Sequence, residues 1–348
     1  MGDGDEVNLA NFLEGDLSWR NVTVRFTNQY TAGSARSSFG VEVNWDGGSG
    51  SELAEFVLKQ DPLGNDASMV PGSVVHEGEW YEAMWATGRV LVPELIVIER
   101  SGKILGSPFL MMRKIPGRGD PAGLFGADYD TAARQRIAEQ AFRHLGEIAA
   151  VDAKSLPQLA AELTETSPQT AWCRQLAIWE GVHDRYSLGP LPMVRAGIRV
   201  LRASPPPPLA AIHVVHGDFR IGNFLYSPTG VHAILDWEMA HFGDPHEDLA
   251  WALKANFRWA DRSKIWGIVE DETAVIAQWE RASGLVLNPR ALAWWTLFSH
   301  VKLAALCLKA GHAASSFESD RVNYILNHWL NTPHEEAMIA RDIAGVIA

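Results

Sequence analysis

Three polar residues in this chain are spaced so that they can serve one reaction. Asp218 stands five positions before Asn223 and eighteen before Asp236, in the stretches His-Gly-Asp-Phe-Arg-Ile-Gly-Asn-Phe (216–224) and Ile-Leu-Asp-Trp-Glu (234–238). Phosphoryl transfer from a nucleotide needs such a set. One carboxylate orients and deprotonates the attacking hydroxyl, while an amide and a second carboxylate hold Mg²⁺ against the phosphates. Taken singly, each residue is an ordinary turn former, because Asp, Asn and Gly dominate turns. Together, at this spacing, they are more than a turn.

The flanking residues supply the elements that would position them. Residues 211–215 form a short apolar run that can deliver a strand into the His216 loop. Residues 223–227 and 231–237 read as two further extended segments, joined by Ser-Pro-Thr-Gly, a good turn sequence. A loop between a strand and a hairpin would set Asp218, Asn223 and Asp236 at the rim of one small sheet.

Organisation along the chain changes near residue 115. Before it the pattern is strand-like: residues 22–27, 38–45, 52–59, 95–100 and 109–112, interrupted by one helix over about 77–87. After it helical periodicity dominates, at 131–151, 170–179, 193–201, 274–282, 290–311 and 321–331. Four prolines at 205–208 cannot be helix and read as a stiff connector into the strand before His216. No internal repeat is visible. By composition alone this is an α+β chain.

Composition excludes several classes. At 348 residues the chain exceeds one ordinary core. Its two cysteines, Cys173 and Cys307, lie far apart and argue for a reducing compartment, not a disulfide scaffold. The first residues, Met-Gly-Asp-Gly-Asp-Glu, lack the basic start and apolar core of a secretion signal, so a cytoplasmic protein is expected. The most apolar run, 294–310, is interrupted by His300, Lys302 and Lys309, and no membrane span is expected. The net charge of -12 disfavours nucleic acid as a partner. Oligomeric state stays open.

The Asp218 loop reads like a protein-kinase catalytic loop, with His-Gly-Asp for His-Arg-Asp and Asp-Trp-Glu for Asp-Phe-Gly. Those departures point to small-molecule kinases. Through residues 216–223 and Leu-Asp-Trp-Glu-Met-Ala-His-Phe-Gly-Asp (235–244), the sequence resembles the aminoglycoside phosphotransferase and choline kinase superfamily. The branch is similar to the kinase-like domain fused to acyl-CoA dehydrogenases. The resemblance runs over nearly the whole chain in lobe order, although Ala149 stands where the family often has His. It implies a bilobal protein-kinase-like fold: a β-rich nucleotide-binding lobe (1–112), a hinge (113–116), and a mainly helical catalytic and substrate-binding lobe (117–348) with the hairpin embedded in it.

Site residues follow from the residues and the resemblance together. Asp218 is expected to accept the acceptor's proton, with Asn223 and Asp236 as metal ligands. The stretch Gly-Ser-Ala-Arg-Ser-Ser-Phe-Gly (33–40) joins two strands, and its small residues let backbone N–H groups approach phosphates. Within it Gly33, Ser34, Ser37 and Ser38 are the expected contacts, and a plain hairpin turn is the competing reading. Lys59 ends an apolar strand, where the resemblance puts the basic residue that pairs with the α/β-phosphates. Its carboxylate partner is Glu77, Glu79 or Glu82, of which Glu79 best suits the family's position. Met112, Arg113, Lys114 and Ile115 are the expected adenine-reading stretch. His216 is read as orienting the loop, and Asp248 as a helix-start residue or a brace for the loop. Arg220 and Glu238 stand beside the reacting groups. His241 and His246, with Asp244, fit no standard zinc spacing.

The implied activity uses ATP, with GTP possible, and Mg²⁺. It phosphorylates a hydroxyl of a small molecule, expected to be a metabolite and possible as an acyl-chain-bearing one. Antibiotic phosphorylation and a nucleotide-binding pseudokinase are the alternatives. An α/β-hydrolase built on His216 and Asp218 is excluded, since no Gly-x-Ser-x-Gly occurs.

Overall fold

The computed structural model describes residues 1–30, 36–47, 50–61, 72–315 and 330–347. Its first part is a five-stranded antiparallel sheet of β1 (Arg20–Tyr30), β2 (Ser37–Gly47), β3 (Gly50–Gln60), β4 (Leu95–Glu99) and β5 (Phe109–Arg113), ordered β1-β2-β3-β5-β4. Side chains alternate across a strand, so each strand offers one set of residues to either face. Val43, Phe56, Leu58 and Met111 turn to one face, where Leu9 and Leu13 of helix α1 (Asp3–Leu17) cover them. That helix was not expected from the sequence. Its buried Leu9 and Leu13 stand four apart, but exposed Val7 and the interspersed glycines and acidic residues blur the periodicity.

The opposite face of the sheet carries Leu110, Met112 and the neighbours of Lys59 toward helix α2 (Val74–Thr87). This helix begins three residues earlier than the sequence suggested. Ser73 caps it, its hydroxyl accepting from His76 N at 3.2 Å, and Gly88 ends it at φ +63°. Val74, Glu77, Tyr81 and Met84 form its buried stripe. Gly78 lies on the same side because a Cβ there would come within 2.8 Å of Ile98 on β4.

Helices dominate the remainder: α3 (Pro121–Leu124), α4 (Thr131–Ala149), α5 (Ala160–Thr164), α6 (Ala171–Tyr186), α7 (Pro192–Ala203), α8 (His246–Ala252), α9 (Glu272–Ser283), α10 (Pro289–Ser315) and α11 (Thr332–Ile347). The helix expected over 321–331 lies almost wholly outside the described residues, and α11 was not anticipated. Helix α10 packs against α6, α7, α8 and α11 around Trp294, Trp295 and Phe298. By length and composition it can cross a membrane, contrary to the reading of its lysines as interruptions. Yet 78% of that apolar stretch is buried inside the fold. It is a core helix here.

Embedded among these helices are two short ladders. Strand β6 (His213–Val215) pairs with β9 (His241–Gly243), and β7 (Phe224–Ser227) pairs with β8 (Gly230–Ile234) through the expected turn. Phe224 faces Ile234 across the hairpin, and Leu235 N continues the ladder to Asn223 O at 2.7 Å. Asn223 and Asp236 thereby emerge side by side at its open end.

Candidate active site

The loop between β6 and β7 is held by buried side chains that bond its backbone. Asp248, on the first turn of α8, accepts from His216 N at 2.6 Å and Gly217 N at 2.8 Å. Burial pushes the Asp248 carboxyl above its usual range, against the pull of His216. It is therefore the brace that one sequence reading expected. His216 Nδ1 accepts from Asp218 N at 3.2 Å, which fixes the proton on Nε2, and Nε2 donates to Leu235 O at 2.9 Å. The ring thus ties the Asp218 loop to the Asp236 strand. Gly217 sits at φ +86°, and a Cβ there would stand 2.4 Å from Met239 O, so only glycine fits.

The Asp218 carboxylate receives three donors. Trp251 Nε1 donates to Oδ1 at 2.7 Å, Arg220 Nε to the same oxygen at 3.2 Å, and Asn223 Nδ2 to Oδ2 at 2.7 Å. Its side chain is 15% exposed, enough to meet a ligand. Asn223 also donates to Asp218 O at 2.8 Å, so its amide nitrogen is committed and Oδ1 remains as an acceptor. Asp236 occupies the left-handed region at φ +67°, an unusual place for a residue with a Cβ. Its N–H is held by Tyr81 Oη at 2.9 Å, which links the metal-ligand candidate to α2.

Opposite this loop, Lys59 projects from the end of β3. Its ammonium donates to Glu77 Oε1 at 2.6 Å and to Asp236 Oδ1 at 2.9 Å. Burial opposes the charge, but Asp236 and Glu77 raise the lysine well above its ordinary pKa. Asp236 is correspondingly lowered by Lys59 despite burial. The partner of Lys59 is therefore Glu77 and not Glu79. Helix α2 turns Glu79 toward solvent, where it pairs with Arg100 at 2.6 Å. Counting the helix from Ser73 puts Glu77 in the buried stripe and Glu79 outside it.

Sequence reasoning missed Arg36. This guanidinium is buried where β2 begins, donating to Asp61 Oδ1 at 2.8 Å, to Glu77 Oε2 at 3.2 Å, to Gly72 O at 3.0 Å and, in a close pair, to Glu238. Burial works against its charge, but Glu77 and Glu238 raise it further. Glu238 is pushed up to about 8, by burial first and by Asp236 next, against Arg36 and Lys59. The cluster thus sets two cations, Arg36 and Lys59, against four carboxylates, Asp61, Glu77, Asp236 and Glu238. Oxygens of Glu77, Asp236 and Glu238 lie within 4.8 Å of one another. The only sequence hint of Arg36 was a charged residue within a run of small ones.

Other expected contacts are placed unevenly. Ser38 is the cross-strand neighbour of Lys59, and Ser37 of Gln60. Gly33 and Ser34 lie outside the described residues. Met112 is buried in the sheet between Val57 and Leu95. The side chains of Arg113 and Lys114 turn to the surface carboxylates of Glu94 and Glu55. Their N–H groups are donated to Glu94 O and Glu55 O, which moves any adenine-reading N–H of this stretch on to Ile115. His241 Nε2 bonds Glu247 and His246 Nδ1 bonds Asp244, so both are engaged in structural pairs.

Residues 34–295 match the phosphotransferase enzyme family. The chain belongs to that family. Among curated relatives, acyl-CoA dehydrogenase family member 11 of Gallus gallus is 27% identical over 235 residues, covering 66% of this chain and 28% of that protein. The chain thus spans under a third of that relative's length. Among solved structures, a Ralstonia eutropha protein provisionally named an aminoglycoside phosphotransferase aligns over 97% of this chain and 98% of its own, with 18% identity and a TM-score of 0.74. An aminoglycoside phosphotransferase mutant in ternary complex with AMP-PNP and hygromycin B aligns over the same shares, at 18% identity and a TM-score of 0.55. At such identities the likeness is one of fold, and the α+β plan of sheet and helical part is that of these phosphotransferases.

Proposed function

We propose that this phosphotransferase-family protein moves the γ-phosphoryl group of ATP, or GTP, to a hydroxyl of a small metabolite. The observation that carries the reading is the Asp218 carboxylate, held by Trp251, Arg220 and Asn223 yet still reachable, across from the Lys59–Glu77–Asp236 cluster. Asp218 orients the acceptor hydroxyl and takes its proton as the oxygen attacks. Lys59 steadies the α/β-phosphates, and Glu77 keeps its ammonium aimed at them. The work of the protein is alignment and neutralisation of charge, with no covalent intermediate on the chain.

A divalent metal fits the residues present. Asn223 Oδ1 and the Asp236 carboxylate are hard oxygen donors, and oxygens of Glu77 and Glu238 lie within 4.8 Å of Asp236. Mg²⁺ bound there would neutralise phosphate charge and help orient the transferring group. Asp236, fixed by Tyr81 at its N–H, and Asn223, fixed by Asp218, would be the ligands.

The acceptor side favours a metabolite over a polycationic antibiotic. Arg220 lies over the Phe257 ring at 5.8 Å, and Phe257 packs on Trp251 at 5.4 Å, so an aromatic and cationic surface adjoins Asp218. Similarity to a segment of an acyl-CoA dehydrogenase family member supports an acyl-bearing hydroxyl compound. Antibiotic phosphorylation is the second reading, favoured by the solved relative that holds hygromycin B. A screen of hydroxyacyl compounds, amino alcohols, sugars, aminoglycosides and macrolides for acceptor-dependent ADP release from Mg·ATP tests both. Release with a hydroxylated metabolite is expected. Efficient turnover of aminoglycosides alone would reverse the order, and ATP binding without transfer would leave a pseudokinase.

A further inference from the structure

Beneath the Asp218 loop lies a buried cation that the phosphoryl-transfer reading leaves unused. Lys302, midway along α10, is 1% exposed. Its ammonium donates to Gly217 O at 2.6 Å and Glu247 Oε1 at 3.0 Å. It also stands over the Trp251 ring, 4.9 Å from the centroid. Trp251 is the residue whose Nε1 donates to Asp218 Oδ1 at 2.7 Å.

We propose that Lys302 is a positioning residue for Asp218, pinning the peptide that carries it and bracing the indole that holds its carboxylate. This inference rests on Asp218 being the base. The Gly217–Asp218 peptide is held at both ends: its N–H by His216 Nδ1 at 3.2 Å and its C=O by Lys302. A glycine at φ +86° gives that peptide freedom to rotate, so the second anchor matters. On the side-chain route, a cation over an indole face draws on its π electrons and makes the N–H a stronger donor.

Core packing alone gives a poor account of a lysine here. Replacing a buried ion pair by apolar side chains is often neutral or stabilising, so a methionine or leucine would serve packing at least as well. Lys302 instead brings a buried partner, Glu247, whose second oxygen bonds His241 Nε2 at 3.1 Å, while His241 Nδ1 bonds Met239 O at 2.9 Å. The chain of contacts begins and ends on backbone of the two segments that bear Asp218 and Asp236.

The test uses the full chain labelled at tryptophan nitrogen, with the Trp251 indole signal assigned by Trp251→Phe. Lys302→Met should move that signal and speed its solvent exchange. It should also lower kcat on the best acceptor of the screen on the order of 10²-fold, with Mg·ATP affinity held within about threefold. Leu297→Ala, on another face of α10, controls for lost stability, and should leave the indole signal and kcat per folded molecule in place. If Lys302→Met fails to fold, the pair Lys302→Met with Glu247→Gln removes both charges and is read the same way. An unmoved indole signal, or a kcat within about twofold of wild type, overturns the proposal. Asp218→Asn in parallel separates the two claims. Full turnover there sinks the base reading itself, while lost turnover there with normal Lys302→Met sinks only the positioning role.

Discussion

Replacing Glu77 by glutamine probes the join between the two halves of the site. The Glu77 carboxylate is fully buried and receives Lys59 at 2.6 Å and Arg36 at 3.2 Å. Removing one partner of a buried pair costs about 3–5 kcal/mol when the other charge is stranded. Neither cation would be stranded here, because Lys59 keeps Asp236 and Arg36 keeps Asp61 and Glu238. The expected loss is therefore nearer the worth of a hydrogen bond to a charged group, about 1.5–3 kcal/mol. Glu79→Gln is the matched control. Its pair with Arg100 has side chains 30% and 54% exposed, and such surface pairs contribute about 0.2–1 kcal/mol. Urea unfolding followed by circular dichroism, with calorimetry of Mg·ATP binding, reads both variants. Glu77→Gln should lose stability and nucleotide affinity, and Glu79→Gln should keep both. An equal or larger effect at Glu79 would refute the assignment of the lysine's partner.

Three further outcomes are expected. Asp236→Ala should weaken Mg-dependent ATP binding more than Mg-free binding, and calorimetry returning wild-type Mg·ATP affinity would remove it as a metal ligand. Gly217→Ala should cost at least about 1–3 kcal/mol in urea unfolding and most of the turnover, since φ is +86° and the new Cβ would meet Met239 O; near-wild-type values in both would contradict the packing described. Glu247 is lowered from 4.5 to about 2, Lys302 and His241 outweighing burial, so its stabilisation is full above pH 4.5 and lost as pH falls toward 2. Glu247→Gln should flatten acid unfolding across that window, and acid curves parallel to wild type would count against the shift.

What the sequence disclosed depended on how local each signal was. Asp218, Asn223 and Asp236 were legible because one hairpin joins them, and its turn and alternation are written in adjacent residues. The sheet and most helices were legible for the same reason. Glu77 was ambiguous with Glu79 because the phase of α2 depends on where its cap falls, and Ser73 was not recognised as that cap. Arg36 was invisible as a site residue because its partner Glu238 is 202 positions away. Lys302 looked like a flaw in an apolar run, since Gly217 and Glu247, which explain it, lie 85 and 55 positions off. Helix α1 earns its place only by capping a sheet face that the sequence does not show to be uncovered.

The central claim, that Asp218 drives transfer from Mg·ATP to a hydroxyl, is tested most directly by following the radiolabelled γ-phosphoryl group onto the acceptor. Wild type and Asp218→Asn would be compared with Mg²⁺ and with chelator, alongside calorimetric Mg·ATP binding. The account predicts labelled acceptor from wild type only with Mg²⁺. Asp218→Asn should form essentially none while binding Mg·ATP within about tenfold of wild type, since the base meets the acceptor and not the nucleotide. Labelled acceptor formed by Asp218→Asn at the wild-type rate would contradict it.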